Sequence, residues 1–145
     1  MPFTWWTNPA EAGAYPLAIQ KGEGEASGAL RLEGADLIRA VVAEQKAGIG
    51  IATIAARFHN GLARAIVEAC VAVRDDRGLA TVALSGGVFQ NLLLLERTLA
   101  GLEAGGFRVL VHERVPPNDG GISLGQAAVA GARDRARIPG RSRAP

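Results

Sequence analysis

Two glycine-rich segments hold the residues whose types and order could bind a phosphate group. Gly86 and Gly87 follow a short apolar run, and Asp119 is followed by Gly120 and Gly121 just before the last apolar segment. A strand that turns through glycines into a helix leaves backbone N–H groups unpaired at the positive end of the helix dipole, where phosphates bind. Glycines also let a ligand approach the backbone closely. The alternative interpretation is a tight turn that requires glycine and binds nothing.

Two polar side chains near these glycines have two interpretations each. Asp119 immediately precedes a helical segment, so it is either the N-cap of that helix or a ligand for a divalent metal that bridges to phosphate oxygens. Asn91 stands where the preceding helix begins, and is either a cap or a hydrogen-bond donor to a nucleotide. The Gly86-Gly87 loop matches neither the Rossmann nor the Walker pattern.

The remaining reactive residue types stand alone in the sequence. Cys70 and His59 lie on or beside the apolar stripe of a long helix, which indicates a core thiol and a structural histidine. Ser85 is outside a G-x-S-x-G motif and has no base that the sequence identifies, and His112 has no partner at ligand spacing. Without an H-x-x-x-H or H-E-x-x-H pair, the chain by itself cannot complete a metal site.

The elements that position the glycine loops alternate between strand and helix. The pattern predicts a buried strand at Thr81–Leu84, a helix at Asn91–Ala104, a strand at Phe107–Val111 and a helix at Ile122–Ala132. This order favours a parallel strand pair in an α/β layer. Ligands gather beyond the carboxyl ends of such strands. Both loops follow strand ends, so we expect them to converge at one edge of the sheet.

The first half of the chain predicts two strands and two helices. Tyr15–Gln20 and Ala29–Glu33 are short apolar segments joined by a glycine-rich connection, which indicates paired strands. Asp36 is the expected cap of the next helix. Apolar residues then recur at three- and four-residue steps over residues 51–73, which predicts a long helix with one apolar stripe, ended by Gly78.

Composition limits the class of protein. The 145 residues suit one domain, 48% of them are hydrophobic, and no apolar stretch approaches the roughly 20 residues of a membrane span. The net charge of +2 comes from an arginine-rich tail at residues 133–145, which is predicted to be disordered. Because the excess charge lies in this tail, no nucleic-acid-binding face is expected. A single cysteine excludes an internal disulfide and fits the cytoplasm. Residues 1–14 match no pattern.

Three motifs together resemble a known family. They are Ile54-Ala55-Ala56-Arg57-Phe58-His59, the segment Leu84-Ser85-Gly86-Gly87-Val88-Phe89-Gln90-Asn91, and the segment from Val115 to Ala127 that contains Pro116-Pro117-Asn118-Asp119-Gly120-Gly121. Their order and spacing over residues 15–132 resemble the C-terminal part of HypF-type carbamoyltransferases, which mature [NiFe] hydrogenases. Related tRNA threonylcarbamoyl transferases and O-carbamoyltransferases share the glycine loop but not all three motifs.

The resemblance implies an α/β fold: part of an actin-like lobe (the ASKHA, ribonuclease H-like kind) with a mixed sheet and flanking helices. It also implies that the lobe binds ATP together with a divalent metal ion. By position, Gly86, Gly87 and Asn91 would line the nucleotide, Asp119 would hold the metal, and Gly120 with Gly121 would lie near the phosphates. Members of the family pass a carbamoyl group from carbamoyl phosphate, through carbamoyl-adenylate, to the C-terminal cysteine of the acceptor protein HypE.

The sequence also departs from the full family pattern. It lacks the acylphosphatase-like domain, the cysteine-rich zinc region, the YrdC-like adenylating domain and the first lobe with its histidine metal pair. We therefore expect zinc only in the missing part, and a carboxy-terminal lobe that is inactive unless the missing domains are supplied in trans. Two alternatives remain: a stand-alone actin-like nucleotide-binding module, and a non-catalytic remnant or interaction domain.

Overall fold

The computed structural model describes residues 10–22 and 29–137. Two compact units make up the chain. The first contains residues up to Ala83 together with Asn91–Leu110, and the second contains Leu84–Gln90 together with the chain from Val111 onward. None of the helices in the described ranges combines the length and the hydrophobicity of a membrane span.

Four strands of the first unit form two small sheets. Strand β1 (Ala18–Lys21) pairs antiparallel with β2 (Leu30–Glu33), and β3 (Thr81–Ala83) pairs parallel with β4 (Arg108–Leu110). Both predicted strand pairs are therefore confirmed, including the parallel one. The strands of the described residues lie in two separate two-stranded sheets rather than in one mixed sheet. The α/β class is unaffected by this difference.

The helices of the first unit are α1 (Ala35–Lys46), α2 (Ile51–Arg77) and α3 (Leu92–Ala104). The long helix α2 ends at Gly78, which adopts the left-handed conformation (φ 69°) that glycine tolerates at a helix end, as predicted. Tyr15, Leu37 and Ile54 form a buried core between α1, α2 and the segment that precedes β1.

The buried face of α2 differs from the predicted stripe. Apart from Ile54, its buried residues are small ones: Ala56, Gly61, Ala63 and Ala65. Ile51, predicted to lie on the stripe, is 77% exposed. The reason is close packing: a Cβ atom at Gly61 would collide with the Tyr15 carbonyl oxygen, and one at Gly101 of α3 would lie 2.8 Å from Cγ2 of Val67. Small side chains permit these approaches, and the larger apolar residues of the predicted stripe other than Ile54 are half-buried or exposed.

Two further predictions for the first unit are wrong. The cap of α1 is Gly34, with no side-chain cap hydrogen bond, and Asp36 instead lies in the first turn, where it pairs with Arg39. Strand β3 is not buried, because Thr81 and Ala83 are exposed and Val82 is half-buried. A strand in a sheet of only two strands has a hydrogen-bonded neighbour on one side, which leaves much of its surface open.

The described part of the lead-in, residues 10–14, is attached to α2. Asn60 Nδ2 donates to the carbonyl oxygens of Glu11 (3.0 Å) and Gly13 (2.7 Å). Arg57 donates to the carboxylates of both Glu11 and Glu44. The hydrogen bond from the Gly13 N–H and the contact with Arg57 hold the pKa of Glu11 below its usual value. These residues thus belong to the first unit.

The second unit contains a 3₁₀ turn at Gly87–Gln90, another at Asp119–Gly121, and helix α4 (Ile122–Arg137). The predicted end of this helix at Ala132 is wrong by five residues, and residues 133–137 are helical rather than disordered. Arginine and alanine are strong helix formers, so the helix continues into the arginine-rich segment. The rest of the predicted tail, residues 138–145, lies outside the described residues.

Candidate functional site

The two predicted glycine loops come together in the second unit. Gly86 has φ 106°, a conformation open to glycine but strained for other residues. Its N–H donates to the carbonyl oxygen of Pro117 at 2.7 Å, and its own carbonyl oxygen accepts from the N–H of Phe89 at 3.1 Å. The first of these bonds joins the Gly86-Gly87 turn to the loop that carries Asp119. The predicted convergence of the two loops is confirmed.

The second loop is capped by Asn118, a residue with no predicted role. Its Oδ1 accepts from the N–H of Gly120 at 3.0 Å, and its backbone oxygen accepts from the N–H of Gly121 at 3.0 Å. The N-cap interpretation of Asp119 is therefore wrong, because the cap lies one residue earlier. Asparagine and aspartate are equally good caps, so the sequence Asn-Asp offers no means of choosing between them.

The loops give a structural reason for three of the four glycines. Gly86 needs its positive φ angle, and its N–H is bonded to Pro117. A Cβ atom at Gly120 would lie 3.1 Å from Oδ1 of Asn118, and one at Gly121 would lie 3.0 Å from the Pro116 carbonyl oxygen. Their N–H groups are already bonded to Asn118. These three glycines are therefore explained by the loop itself.

Gly87 has no such structural reason. It is exposed, its φ angle is ordinary, and a Cβ atom there would meet only Cβ of Asn118, at 3.8 Å, which is an ordinary contact. Among the residues that the structure describes, the Gly87 N–H makes no hydrogen bond. Of the glycine N–H groups predicted to meet a phosphate, that of Gly87 is the one best placed to donate a hydrogen bond to a ligand.

The carboxylate of Asp119 is exposed and makes no hydrogen bond or ion pair with the residues that the structure describes. It can supply one oxygen ligand to a hard cation. Among those same residues, no group of three histidine, cysteine, aspartate or glutamate side chains could hold a metal ion. The described residues therefore do not make a complete metal site, and Asp119 would need ligands from elsewhere.

Asn91 belongs to the first unit and caps α3. Its Oδ1 accepts from the N–H of Leu94 at 3.2 Å, which confirms the capping interpretation. Its Nδ2 lies 2.8 Å from Nε2 of His59. His59 is thus bonded through both ring nitrogens, since Nδ1 lies 2.7 Å from the carbonyl oxygen of Ala55. The structural role predicted for His59 is confirmed, but its partner was not foreseen.

The structure gives Ser85 and His112 a hydrogen-bond partner each, and it shows the surroundings of Cys70. Ser85 Oγ lies 3.0 Å from Nε2 of His112, although the sequence identified no base for this serine and no partner for this histidine. Each residue stands two positions beyond the end of a strand, β3 or β4, and only strand pairing could have related them. Burial raises the pKa of the Cys70 thiol, which disfavours the reactive thiolate.

A groove of about 640 Å³ lies in the first unit, beside the crossing of α2 and α3. Charged and amide side chains line much of it, including Asn60, Arg64, Glu68 and Arg97. None of the predicted site residues is among its lining residues. Nothing in the sequence pattern had marked this groove.

Comparison with known proteins gives a consistent result. The family described as "Carbamoyltransferase, Kae1-like Domain, second subdomain" matches residues 4–126, which includes most of the segment that the sequence left unassigned. Carbamoyltransferase HypF of Synechocystis sp. is 36% identical over 112 residues, which are 77% of this chain and 13% of the relative. The chain therefore spans only a small part of the length of this relative.

Solved structures of HypF proteins resemble the fold as well. A full-length HypF in a phosphate- and nucleotide-bound form superimposes with a TM-score of 0.80 and 32% identity, over 90% of this chain and 16% of that one. HypF of T. kodakarensis gives a TM-score of 0.63 and 29% identity, over 82% of this chain and 15% of that one. The fold is accordingly a part of the actin-like lobe that the sequence predicted. The chain belongs to the HypF-type carbamoyltransferases, in the second subdomain of their Kae1-like domain.

Proposed function

We propose that this chain is the nucleotide-binding second lobe of a HypF-type carbamoyltransferase, working in the cytoplasm. The observation that carries the proposal is the joined pair of loops in the second unit, where the bond from Gly86 to Pro117 brings the Gly87 turn to the Asp119 loop. Gly87 retains an exposed backbone without a structural need for glycine. That combination suits close approach of a phosphate group.

The proposed role of each residue follows from its surroundings. The Gly87 N–H donates to a phosphate oxygen of ATP, while Gly86, Gly120 and Gly121 shape the loops around it. Asp119, whose carboxylate is not used by the cap, supplies one ligand to a divalent ion that accompanies the nucleotide. Such an ion, when bound, neutralises charge on the phosphates. Separately, in the first unit, the exposed amide of Asn91 donates a hydrogen bond to a nucleotide.

The reaction proposed for the assembled enzyme is transfer of a carbamoyl group from carbamoyl phosphate, through carbamoyl-adenylate, to the C-terminal cysteine of a HypE-like acceptor. The HypF resemblance supports this reaction, and the small share of the relatives that the chain covers supports a division of labour. We assign hydrolysis of carbamoyl phosphate and adenylation to other domains of a HypF-type protein, on the ground of the family resemblance alone. We therefore expect the chain alone to bind ATP without catalysing either step.

The test uses the purified full chain. Isothermal titration calorimetry with ATP, with and without Mg²⁺, should show saturable binding, whereas carbamoyl-AMP should not form from ATP and carbamoyl phosphate. Adding the remaining domains of a HypF-type protein and a HypE-like acceptor should permit carbamoylation of the acceptor cysteine, measured by mass spectrometry. Absence of ATP binding would overturn the nucleotide role, and carbamoyl-AMP formed by the chain alone would overturn the division of labour. ATP binding with no effect on an acceptor would favour the stand-alone nucleotide module.

A further inference from the structure

A line of hydrogen bonds runs from α2 to the start of α3. It begins at the Ala55 carbonyl oxygen, which lies 2.7 Å from Nδ1 of His59. Nε2 of the same ring lies 2.8 Å from Nδ2 of Asn91, and Oδ1 of Asn91 lies 3.2 Å from the N–H of Leu94. All four residues belong to the first unit. Two backbone groups therefore stand at the ends of the line, with two side chains between them.

The backbone groups determine which atoms carry protons. The Leu94 N–H can only donate, so the atom of Asn91 that faces it must be the carbonyl oxygen. The amino group of Asn91 then faces Nε2 of His59, which must accept and is unprotonated. The proton of a neutral imidazole therefore lies on Nδ1, where it donates to the Ala55 carbonyl oxygen. Every group in the line has a partner of the opposite kind, so one tautomer and one amide orientation are selected.

The surroundings of His59 restrict the movement of its ring. It lies in the interior of the 27-residue helix α2, is half-buried, and makes an edge contact with the Phe58 ring at 5.7 Å between centroids. Asn91 is exposed, and its amino group has two hydrogens, of which the contact with His59 uses one. The carbonyl end of Asn91 is occupied by the cap of α3. The group that Asn91 can offer to a ligand is consequently an N–H donor.

We propose that His59 is a positioning residue, which holds the Asn91 amide so that it presents a donor and recognises only a hydrogen-bond acceptor on the ligand. This inference rests on the proposed function, in which Asn91 donates a hydrogen bond to a nucleotide. On a nucleotide the acceptor is an oxygen of the phosphates or ribose, or a ring nitrogen of the base. An amide turned the other way would present its carbonyl oxygen to the ligand and would lose the hydrogen bond that caps α3.

The first measurement needs no nucleotide. Long-range ¹H–¹⁵N NMR spectra of the full chain at neutral pH should show His59 protonated at Nδ1 and unprotonated at Nε2. The opposite tautomer would overturn the proposal, because the Asn91 amide would then have to face the other way. If the chain binds no ATP, the proposed function fails, and these spectra still test the orientation separately.

The second measurement is a double-mutant cycle in ATP affinity. Asn91→Ser keeps a cap acceptor for α3, since serine caps as well as asparagine. It replaces the amide N–H donor by a hydroxyl whose oxygen is bound directly to Cβ and therefore lies short of the Nδ2 position. We expect the Kd to rise roughly threefold to tenfold with little change in melting temperature. His59→Leu should raise the Kd by a similar factor, and His59→Gln, which restores an acceptor, should recover part of it.

The cycle distinguishes positioning from a general structural effect. If His59 acts through Asn91, His59→Leu should have almost no further effect on the Kd in the Asn91→Ser background. Fully additive effects would overturn the proposal. Comparing ATP with adenosine locates the acceptor: an effect of Asn91→Ser on both places it on the nucleoside, and an effect on ATP alone places it on the phosphates. An unchanged Kd for both ligands would refute the donor role of Asn91.

Discussion

Replacing Gly87 by alanine separates the structural use of the glycine loops from the proposed binding use. The new Cβ atom would meet Cβ of Asn118 at 3.8 Å, an ordinary contact, and the φ angle of Gly87 is not in the left-handed region. Alanine also has fewer unfolded conformations than glycine, which stabilises a compatible site by about 0.4–1 kcal/mol. The free energy of unfolding should therefore stay the same or rise slightly.

The expected effect on ATP affinity is much larger. A methyl group at this position would hinder the approach of a phosphate to the Gly87 N–H. A hydrogen bond to a charged group contributes about 1.5–3 kcal/mol. Losing it corresponds to a rise in Kd of roughly 10- to 100-fold. Titration calorimetry with ATP gives this number, and thermal denaturation of the same sample gives the stability.

Two other glycines serve as controls for this substitution. Gly131→Ala adds the same methyl group to α4, where nothing lies within 4 Å, and should leave ATP affinity unchanged. Gly86→Ala forces a non-glycine residue to φ 106°, and should cost about 1–3 kcal/mol of stability. If Gly87→Ala binds ATP as tightly as the unsubstituted chain, the phosphate does not approach the backbone here, and the reasoning is refuted.

Three further predictions concern other contacts. Asn118→Ala should lower the free energy of unfolding by about 1 kcal/mol through loss of a cap. Asp119→Asn should leave the free energy of unfolding unchanged and weaken only the Mg²⁺ dependence of ATP binding. Equal losses of stability in these two variants would contradict the assignment of Asn118 as the cap. Gly61→Ala drives a Cβ atom into the Tyr15 carbonyl oxygen, so denaturant unfolding should show a loss of about 1–3 kcal/mol, and an unchanged midpoint would argue against this packing. Burial and the hydrogen bond to Glu44 raise the pKa of Tyr15 to about 12. Its contribution to stability is therefore complete below about pH 10 and is lost as the pH rises towards 12; melting curves of Tyr15→Phe should lack this component, and an identical alkaline profile would contradict it.

Local patterns were enough to predict most elements and the family. The three- and four-residue spacing of apolar residues over residues 51–73 predicted α2, and Gly78 predicted its end, because helix periodicity and the left-handed cap depend on neighbouring residues alone. The parallel pairing of β3 and β4 followed from the alternation of strand and helix. The order of three motifs indicated the family that the comparison confirmed.

The predictions that failed concern contacts between distant parts of the chain. The buried face of α2 is made of small residues because Tyr15 and α3 approach it closely, which periodicity does not reveal. The choice of Asn118 over Asp119 as cap depends on the backbone path of one loop. Asn91 and His59 are 32 positions apart, and only the packing of α2 with α3 brings them within hydrogen-bonding distance.

The amino-acid sequence by itself determined the types and order of the elements, the glycines at the strand ends and the family, since these depend on residues that are close along the chain. Only the tertiary structure decided which glycines the loops require, which leaves Gly87 as the one open to a ligand, and how the Asn91 amide is oriented. The physical reason is that steric room and hydrogen-bond partners are properties of neighbours in space, and those neighbours come from segments far apart in sequence.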